Sequence, residues 1–588
     1  MGMGWLVNSI SLKTQSPMAA QPGIVTGNNQ NILYWLQLSD IHINEKEPEI
    51  TQAFAKFVNE TIPTISPNFV IATGDTVDGE HPDKNGQHHQ SLGEYEIVRS
   101  ILDSANFPDG FFRFTIGNHE KYDTINDSPF FTYFENDSNY VITVNTTFGL
   151  YRFVVIDTTP EIGLVNYYNL WGVLTTERLN IIEELLANSA SPWINQTIFM
   201  GHHPLENLIS AKSASGKNFE QIMASVGAVA YLNGHIHQEK FYRVKDGLIE
   251  IMAPAFKENG IYRICALDND IFAFNDITSA KWPAVVLTNP IDHQFYTNRM
   301  PLNRMQTDTQ IRALIFDPSP IEKAEIFIDG MLRGNMTYTG DNVYGLNYNP
   351  ADFNTGRHTL RLVVTSASGS SEQEITFNIG NLSPDKSFRF GAAVLNFPIR
   401  NVMIGAFIFL WILNIIPFVV PKIWQTRNPG KELIFRSKFG NSMFGRWGTA
   451  AKLPFSSMLL LLIIPMFVLV GPIIIAPVVQ NIVGYHFLYG MLLVGEGYSQ
   501  WMMTLDGPLY PAILLLANIW LQGFVLHRTA NPKSRYAWFL LLLSLGAGGG
   551  IAFLIAKYFG FETIFWNPSV LWYFVVLVLS IFRGNTNQ

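Results

Sequence analysis

Apolar and polar positions change rhythm along the chain, and the changes divide it. From Leu33 onward, short apolar or β-branched runs alternate with helical patterns. Tyr34 to Leu38, Phe69 to Ala72, Phe112 to Ile116, Phe153 to Ile156, Thr197 to Met200 and Ala228 to Leu232 predict strands. Ile50 to Val58 and Thr176 to Ala187 predict helices. Unbroken apolar strands set between helices imply a sheet buried on both faces, which is the pattern of an α/β domain.

From Trp282 to Ile379 the rhythm becomes one of short strands: Ala284 to Leu287, Ile311 to Phe316, Ala324 to Ile328, Leu360 to Val364 and Glu374 to Asn378. Turns such as Asp329-Gly330 and Thr339-Gly340-Asp341 separate them, which predicts a small immunoglobulin-like (Ig-like) β-sandwich. The sandwich has no disulfide, because Cys265 is the one cysteine of the chain; a thiolate zinc site is excluded with it.

Five later stretches approach the roughly 20 apolar residues of a transmembrane helix. They are Val402 to Val420, Ser457 to Val479, Leu509 to Leu526, Ala537 to Ala556 and Trp566 to Phe582. A sixth run, Ile482 to Gly495, is shorter and contains His486, which favours a re-entrant or interfacial segment over a span. Gly546 to Gly550 holds small residues at the spacing that admits a close neighbouring helix.

Charge follows the same division. Of 588 residues 48% are hydrophobic and only 15% charged, too apolar for an ordinary soluble chain. The net charge of -8 combines an acidic first 400 residues with a basic remainder. An acidic globular part lacks the basic patch expected of a nucleic-acid partner, so none is expected. The loop after the first apolar stretch carries Lys422, Arg427, Lys431, Arg436, Lys438, Arg446 and Lys452 against Glu432, and a later loop carries Arg528, Lys533 and Arg535. Between the second and third stretches stand only Glu496 and Asp506. Because Lys and Arg concentrate in cytoplasmic loops, five spans place residues 1–400 exoplasmic, lumenal or extracellular, and the C-terminus in the cytoplasm. No Asp, Glu, Lys or Arg lies at the centre of a stretch, which favours an anchor over a transport path.

Sequons at Asn59, Asn126, Asn136, Asn145, Asn195, Asn335 and Asn381 fit an exoplasmic glycoprotein, though a chain rich in Asn yields several by chance. The first thirty residues hold no apolar core flanked by basic residues. Three readings stay open: an incomplete start, export by the first membrane helix, or the inverse topology.

Most of the predicted strands of the α/β part end in a polar cluster. Asp40-Ile41-His42 follows the first strand, Gly74-Asp75-Thr76-Val77-Asp78 the second and Gly117-Asn118-His119-Glu120 the third. Gly201-His202-His203-Pro204 and Gly234-His235-Ile236-His237 follow the fifth and sixth. Ligands of open α/β sheets bind beyond the carboxyl ends of strands, so these clusters converge. Carboxylate and imidazole donors suit Zn, Mn or Fe. Taken singly, Asp40 reads more readily as a helix N-cap and Asp75 as a turn residue, and His202 with His203 also reads as a solvated loop. His81, Asp83, His88 and His89 lie in a polar loop, read as solvated in preference to substrate-binding.

The ordered series of five resembles the signatures of the calcineurin-like metallophosphoesterase superfamily. The resemblance implies a four-layer α/β/β/α sandwich and two divalent ions. Asp40, His42 and His237 would hold one ion, and Asn118, His202 and His235 the other, with Asp75 bridging. It further implies His119 as the histidine that protonates the leaving group, with Asp78 and His203 behind the ligands. The order of parts, with the Trp282-Pro283 to Asn289-Pro290 junction, is similar to the transmembrane protein 62 family.

The expected organisation is a tail (1–30), the phosphoesterase domain (31–277), the Ig-like sandwich (278–385), a linker (386–401) and a membrane domain of about five helices (402–588). The expected activity is hydrolysis of phosphate mono- or diesters at a membrane, with a lipid or glycolipid head group in view. The alternative is a catalytically weak, metal-stabilised binding or assembly module.

Overall fold

A computed structural model describes residues 9–13, 31–79, 89–121, 129–135, 137–159, 172–237, 242–383, 399–431, 433, 445–479, 482–488, 490–495, 498–502, 509–559, 564–565 and 567–583. The loop residues His81, Asp83 and His88, the sequons at Asn126 and Asn136, and loop residues Glu432, Arg436, Lys438, Glu496 and Asp506 lie outside that set. The chain forms two compact units, one ending at Ser387 and the other beginning at Phe388.

Two sheets build the first part of unit one. One has five strands in the order β14-β13-β2-β3-β4, where β2 is Ile32–Leu38, β3 Val70–Thr73, β4 Phe112–Thr115, β13 Ile261–Asp268 and β14 Ile271–Thr278. The other has seven, in the order β1-β5-β6-β8-β10-β12-β11. Here β1 is Ser9–Lys13, β5 Tyr140–Asn145, β6 Leu150–Val155, β8 Ile194–Met200, β10 Ala230–Asn233, β11 Tyr242–Lys245 and β12 Leu248–Met252. A ribbon of β7 (Gly172–Leu174) and β9 (Leu208–Ser210) lies apart. Pairing is parallel from β2 through β3 to β4, and from β6 through β8 and β10 to β12.

The sheets stack face to face. Trp35 of β2 is fully buried, lies parallel to Phe69 at 5.8 Å and meets Phe153 of β6 edge-on at 5.0 Å. Helices cover the outer faces. α1 (Pro48–Lys56) buries Phe54 against Phe112 on the five-stranded side, beside α2 (Leu92–Ala105). α3 (Thr176–Asn188) and α4 (Phe219–Ser225) bury Leu179, Ile182, Phe219 and Ile222 with Val154, Ile156 and Phe199 of the seven-stranded sheet. The parallel strands explain the unbroken apolar runs, since each is covered on both faces. All six predicted strands form, within a few residues of the expected bounds; β1, β5, β7, β9 and β11 to β14 are additional to the pattern.

Residues 284–379 form two four-stranded antiparallel sheets, ordered 284–289, 310–316, 343–347, 337–340 and 331–335, 321–328, 356–366, 369–379. They share a core in which Val285, Ile311 and Ile315 of one meet Ile326, Leu362 and Phe377 of the other.

Unit two contains α5 (Ile399–Arg427), α6 (Gly445–Lys452), α7 (Phe455–Val470), α8 (Leu509–Ala530), α9 (Arg535–Phe559) and α10 (Pro568–Arg583). Three of these, α5, α8 and α9, are long and apolar enough to cross a membrane, while α7 and α10 are shorter apolar helices. The expected second span, Ser457 to Val479, is therefore corrected. Its helix stops at Val470, before Gly471-Pro472, and Ile474–Val479 is a strand. The run Ile482 to Gly495, expected as a re-entrant or interfacial segment, is extended. Strands Ile482–Phe487 and Gly490–Gly495 join Ile474–Val479 and Tyr498–Met502 in an antiparallel sheet. In the Gly546 to Gly550 run, only Gly548 is crowded: a Cβ there would lie 2.1 Å from the Tyr573 ring of α10.

A buried polar knot ties α5, α7 and α8. Pro465 has no N–H, so the Leu461 carbonyl four residues earlier loses its helical donor. Asn518 Nδ2 donates to that carbonyl at 3.1 Å and to Asn414 Oδ1 at 2.8 Å, and Gln522 Nε2 donates to the Asn414 carbonyl at 3.1 Å. Asn518→Leu strips two of these bonds from an apolar interior. Unfolding in mixed micelles is expected to show a loss of about 1–2 kcal/mol; wild-type stability would refute the assignment.

Candidate metal centre

Each site residue stands just beyond the carboxyl end of a strand: Asp40 and His42 after β2, Asp75 and Asp78 after β3, Asn118 and His119 after β4, His202 and His203 after β8, His235 and His237 after β10. Stacking the two sheets brings the five loops together. The first two loops are zipped by backbone hydrogen bonds from Asp40 N to the Gly74 carbonyl (3.1 Å), His42 N to the Asp75 carbonyl (2.9 Å) and Ile43 N to the Thr76 carbonyl (2.9 Å).

The loop backbones are bent in an unusual way. Asp40, His42, Asp75, His235 and His237 all have φ between 52° and 82°. The left-handed region is uncommon for residues with a side chain, and such strain concentrates at functional sites. Gly74 (φ 93°) serves closeness as well as conformation: a Cβ there would lie 2.3 Å from His202 Nδ1.

Donor atoms gather in two groups around Asp75. On one side, His237 Nε2 lies 3.2 Å from Asp40 Oδ1 and 3.3 Å from His42 Nε2, which is 4.0 Å from Asp75 Oδ2. On the other, His202 Nε2 lies 3.0 Å from both Asp75 Oδ2 and Asn118 Oδ1, and His235 Nδ1 is 2.9 Å from Asn118 Oδ1 and 3.2 Å from His202 Nε2. The seven residues Asp40, His42, Asp75, Asn118, His202, His235 and His237 are thus brought together. All are buried except His237, which is partly open.

Outer partners orient the rings. His202 Nδ1 donates to the Thr73 carbonyl at 2.8 Å, which turns Nε2 toward Asp75. His42 Nδ1 donates to Asp78 Oδ1 at 3.0 Å, and Asn44 Nδ2 donates to Asp78 Oδ2 at 2.7 Å. A carboxylate or carbonyl behind an imidazole is the usual support of a metal-binding histidine. His203 is fully buried, lies 2.9 Å through Nδ1 from Thr158 Oγ1, and packs its ring 4.4 Å from that of His235.

Charge at the centre asks for a cation. Burial opposes ionisation of Asp40, yet the His237 hydrogen bond and nearby His202 hold it down at about 2. Burial also opposes protonation of His202, but the Asp75 carboxylate holds it up at about 9. Two buried carboxylates with convergent imidazole and amide donors fit divalent ions, and the absence of thiolate fits hard or borderline ones.

His119 stands on the open side. Its Nδ1 donates to the Asp78 carbonyl, its backbone N–H donates to Asp75 Oδ1 at 2.9 Å, and Nε2 faces Asp75 Oδ2 at 3.9 Å. The ring is only 12% exposed, and with His237 it forms the accessible rim.

Glu120, the last residue of the third cluster, has a structural task. Its buried carboxylate accepts from the backbone N–H groups of Asp75 (3.1 Å), Thr76 (2.6 Å), Val77 (3.1 Å) and Gly117 (2.7 Å). Burial and then the Asp75 charge push it up to about 7. It therefore clamps the loops after β3 and β4 together. Glu120→Ala orphans buried donors and is expected to cost about 3 kcal/mol or more, with lowered metal retention. Calorimetry with metal analysis checks this, and an unaltered unfolding midpoint would refute the clamp. Glu258, whose Oε1 lies 3.5 Å from His237 Nδ1, was also missed; it follows the last cluster by a stretch with no motif.

An α/β domain that closes a buried Asp, His and Asn constellation over the carboxyl ends of parallel strands has the make-up of a metal-dependent hydrolase. Residues 35–239 match the family model of the calcineurin-like phosphoesterases, a superfamily of metal-dependent phosphoester hydrolases. Transmembrane protein 62 of Mus musculus is 30% identical over 367 residues, covering 60% of this chain and 56% of the mouse protein. An Arabidopsis thaliana protein that bears the name putative metallophosphoesterase is 28% identical over 265 residues, covering 42% of this chain and 33% of that protein. The matched region thus spans about half or less of these relatives. Among solved structures, vacuolar protein sorting 29 from Cryptosporidium parvum aligns over 59% of this chain and 100% of its own, at 9% identity and a TM-score of 0.21, too slight a likeness to inform the fold. The long apolar helices and the similarity to Transmembrane protein 62 mark a membrane protein.

Proposed function

We propose that the chain is a membrane-anchored phosphoesterase that uses two divalent ions to hydrolyse phosphate mono- or diesters. The carrying observation is the place of Asp75, whose Oδ2 faces His202 Nε2 at 3.0 Å on one side and His42 Nε2 at 4.0 Å on the other. Asp40, His42 and His237 would hold one ion and Asn118, His202 and His235 the second, with Asp75 placed to serve both. Two such ions, when bound, neutralise phosphoryl oxygens and make water nucleophilic near neutral pH.

The chain's own residues do the rest. Asp78 and the Thr73 carbonyl fix the ring orientation of His42 and His202. Asn118 supplies a neutral oxygen, which lowers the negative charge of the donor set and leaves the site electropositive toward a phosphoester. His119, its Nδ1 hydrogen held by the Asp78 carbonyl, keeps Nε2 3.9 Å from Asp75 Oδ2, beside the donor groups, and protonates the departing alkoxide.

In this reading residues 31–277 are the catalytic domain and 278–385 an Ig-like spacer. A linker leads to the membrane domain from residue 402. The basic loops support an exoplasmic N-terminal unit, with its sequons open to glycosylation, and a cytoplasmic C-terminus. A lipid or glycolipid head group is then a substrate class within reach of a membrane-bound site. Protease protection in sealed microsomes tests the orientation: residues 1–400 are expected to be protected and glycosidase-sensitive, and cleavage in intact vesicles would invert it.

A further inference from the structure

A second polar cavity lies at the opposite end of the seven-stranded sheet from the metal centre. Its volume is about 250 Å³, and Arg152, Ser191, Ile194, Gln196, Thr197 and Gly227 line it. Arg152 sits in β6 and Thr197 beside it at the middle of β8, whereas the site residue His202 lies beyond the far end of the same strand. At about 3.3 Å per residue, Thr197 and His202 are separated by most of the strand's length.

Arg152 is unusual because it is a buried cation, 5% exposed, with no carboxylate partner among the described residues. Nη1 donates to the Leu186 carbonyl at 3.3 Å and to Ser189 Oγ at 3.4 Å. Nε and Nη2 share Thr197 Oγ1 as acceptor at 3.3 and 3.1 Å. These four long bonds serve a guanidinium with five N–H donors. Burial alone moves its pKa, downward, with no opposing charge nearby. Elsewhere in the domain a buried arginine has its acid: Arg113 has Glu135 at 2.9 Å, and Arg263 has Asp276 at 2.7 Å.

Capping the end of α3 accounts for Nη1, because the last carbonyls of a helix carry partial negative charge. It does not account for a formal charge taken out of water, nor for the polar space beside it. Removing a guanidinium from water without a counter-charge costs several kcal/mol.

The geometry points to an oxyanion site: the cavity takes a phosphate-type anion, bound through the Arg152 guanidinium, with the Ser191 hydroxyl at hand. Arg suits such a ligand because its planar fork matches two oxygens of phosphate or carboxylate. The anion comes either free or as the phosphate of a lipid head group. No residue of the metal centre takes part.

The test uses the full-length chain in detergent, treated with EDTA so that phosphate finds no metal. Inorganic phosphate is titrated against chloride at matched ionic strength, and the unfolding midpoint is followed. Phosphate is expected to raise the midpoint saturably, by about 2 °C or more. Arg152→Met is expected to abolish the response. Should that variant misfold, Ala190→Glu decides: Ala190 also lines the cavity, and the new carboxylate supplies the missing charge. Ala190→Glu is expected to lose the phosphate response while keeping wild-type phosphodiester hydrolysis once metal is restored. A soluble short-chain phosphatidate forms the second arm. Competition with phosphate assigns a lipid head group, and phosphate binding without competition assigns a free anion. Equal midpoints in phosphate and chloride, or an undiminished response in Ala190→Glu, overturns the site.

Discussion

Asp75→Asn is expected to lose metal and hydrolysis together, with turnover falling by at least about 10³-fold, beyond the 10–100-fold typical of an outer partner of a metal ligand. The change keeps the shape and removes one charge. Asp75 Oδ2 is the atom shared by the two donor groups, and its carboxylate holds His202 up at about 9. An amide at that position leaves both groups without the anion between them. The backbone contacts are unaffected, because Asp75 N still donates to Glu120 and its carbonyl still receives His42 N. A folded variant with depleted metal is therefore the expected outcome. Full occupancy of both ions in Asp75→Asn would contradict the bridging role.

His119→Ala should behave differently. Turnover is expected to drop by about 10² to 10⁴-fold, which is about 3–5 kcal/mol of barrier, while metal content stays normal. The ring reaches Asp75 only at 3.9 Å and is anchored by a backbone carbonyl, so its removal takes away no close donor. A proton donor also leaves a chemical signature. The loss should shrink for esters with acidic leaving groups, such as nitrophenolate, which depart unaided. An equal loss for good and poor leaving groups would remove His119 from proton transfer.

The centre was legible in the sequence because each cluster follows an apolar run, and a strand delivers whatever stands beyond its end to a shared edge. Asp40, His42, Asn118 and His235 needed no more than that to be grouped. The sequence could not show which atoms meet, since that depends on two sheets stacking through Trp35, Phe69 and Phe153. Glu120 was in plain sight within its cluster, but its role rests on four backbone N–H groups that no side-chain pattern reports. Glu258 is recruited from after β12 without any motif to announce it.

In the membrane unit, hydropathy misled for a physical reason. Ile474–Val479 is apolar enough to extend the helix before it, and hydropathy is blind to backbone conformation. Gly471-Pro472, Pro477 and the β-branched Ile and Val carried the contrary signal. The Asn414, Asn518 and Gln522 knot leaves no trace in the charge pattern, because its members are neutral amides.

The most direct measurement is hydrolysis of a generic phosphodiester by the purified full-length chain, first stripped with a chelator and then titrated with Mn²⁺. The account predicts no activity after stripping and recovery as Mn²⁺ is restored, reaching its maximum near two ions per chain. A folded chain that binds Mn²⁺ yet hydrolyses neither monoester nor diester, with Zn²⁺ and Fe²⁺ tried in turn, would contradict it and favour a metal-stabilised binding module.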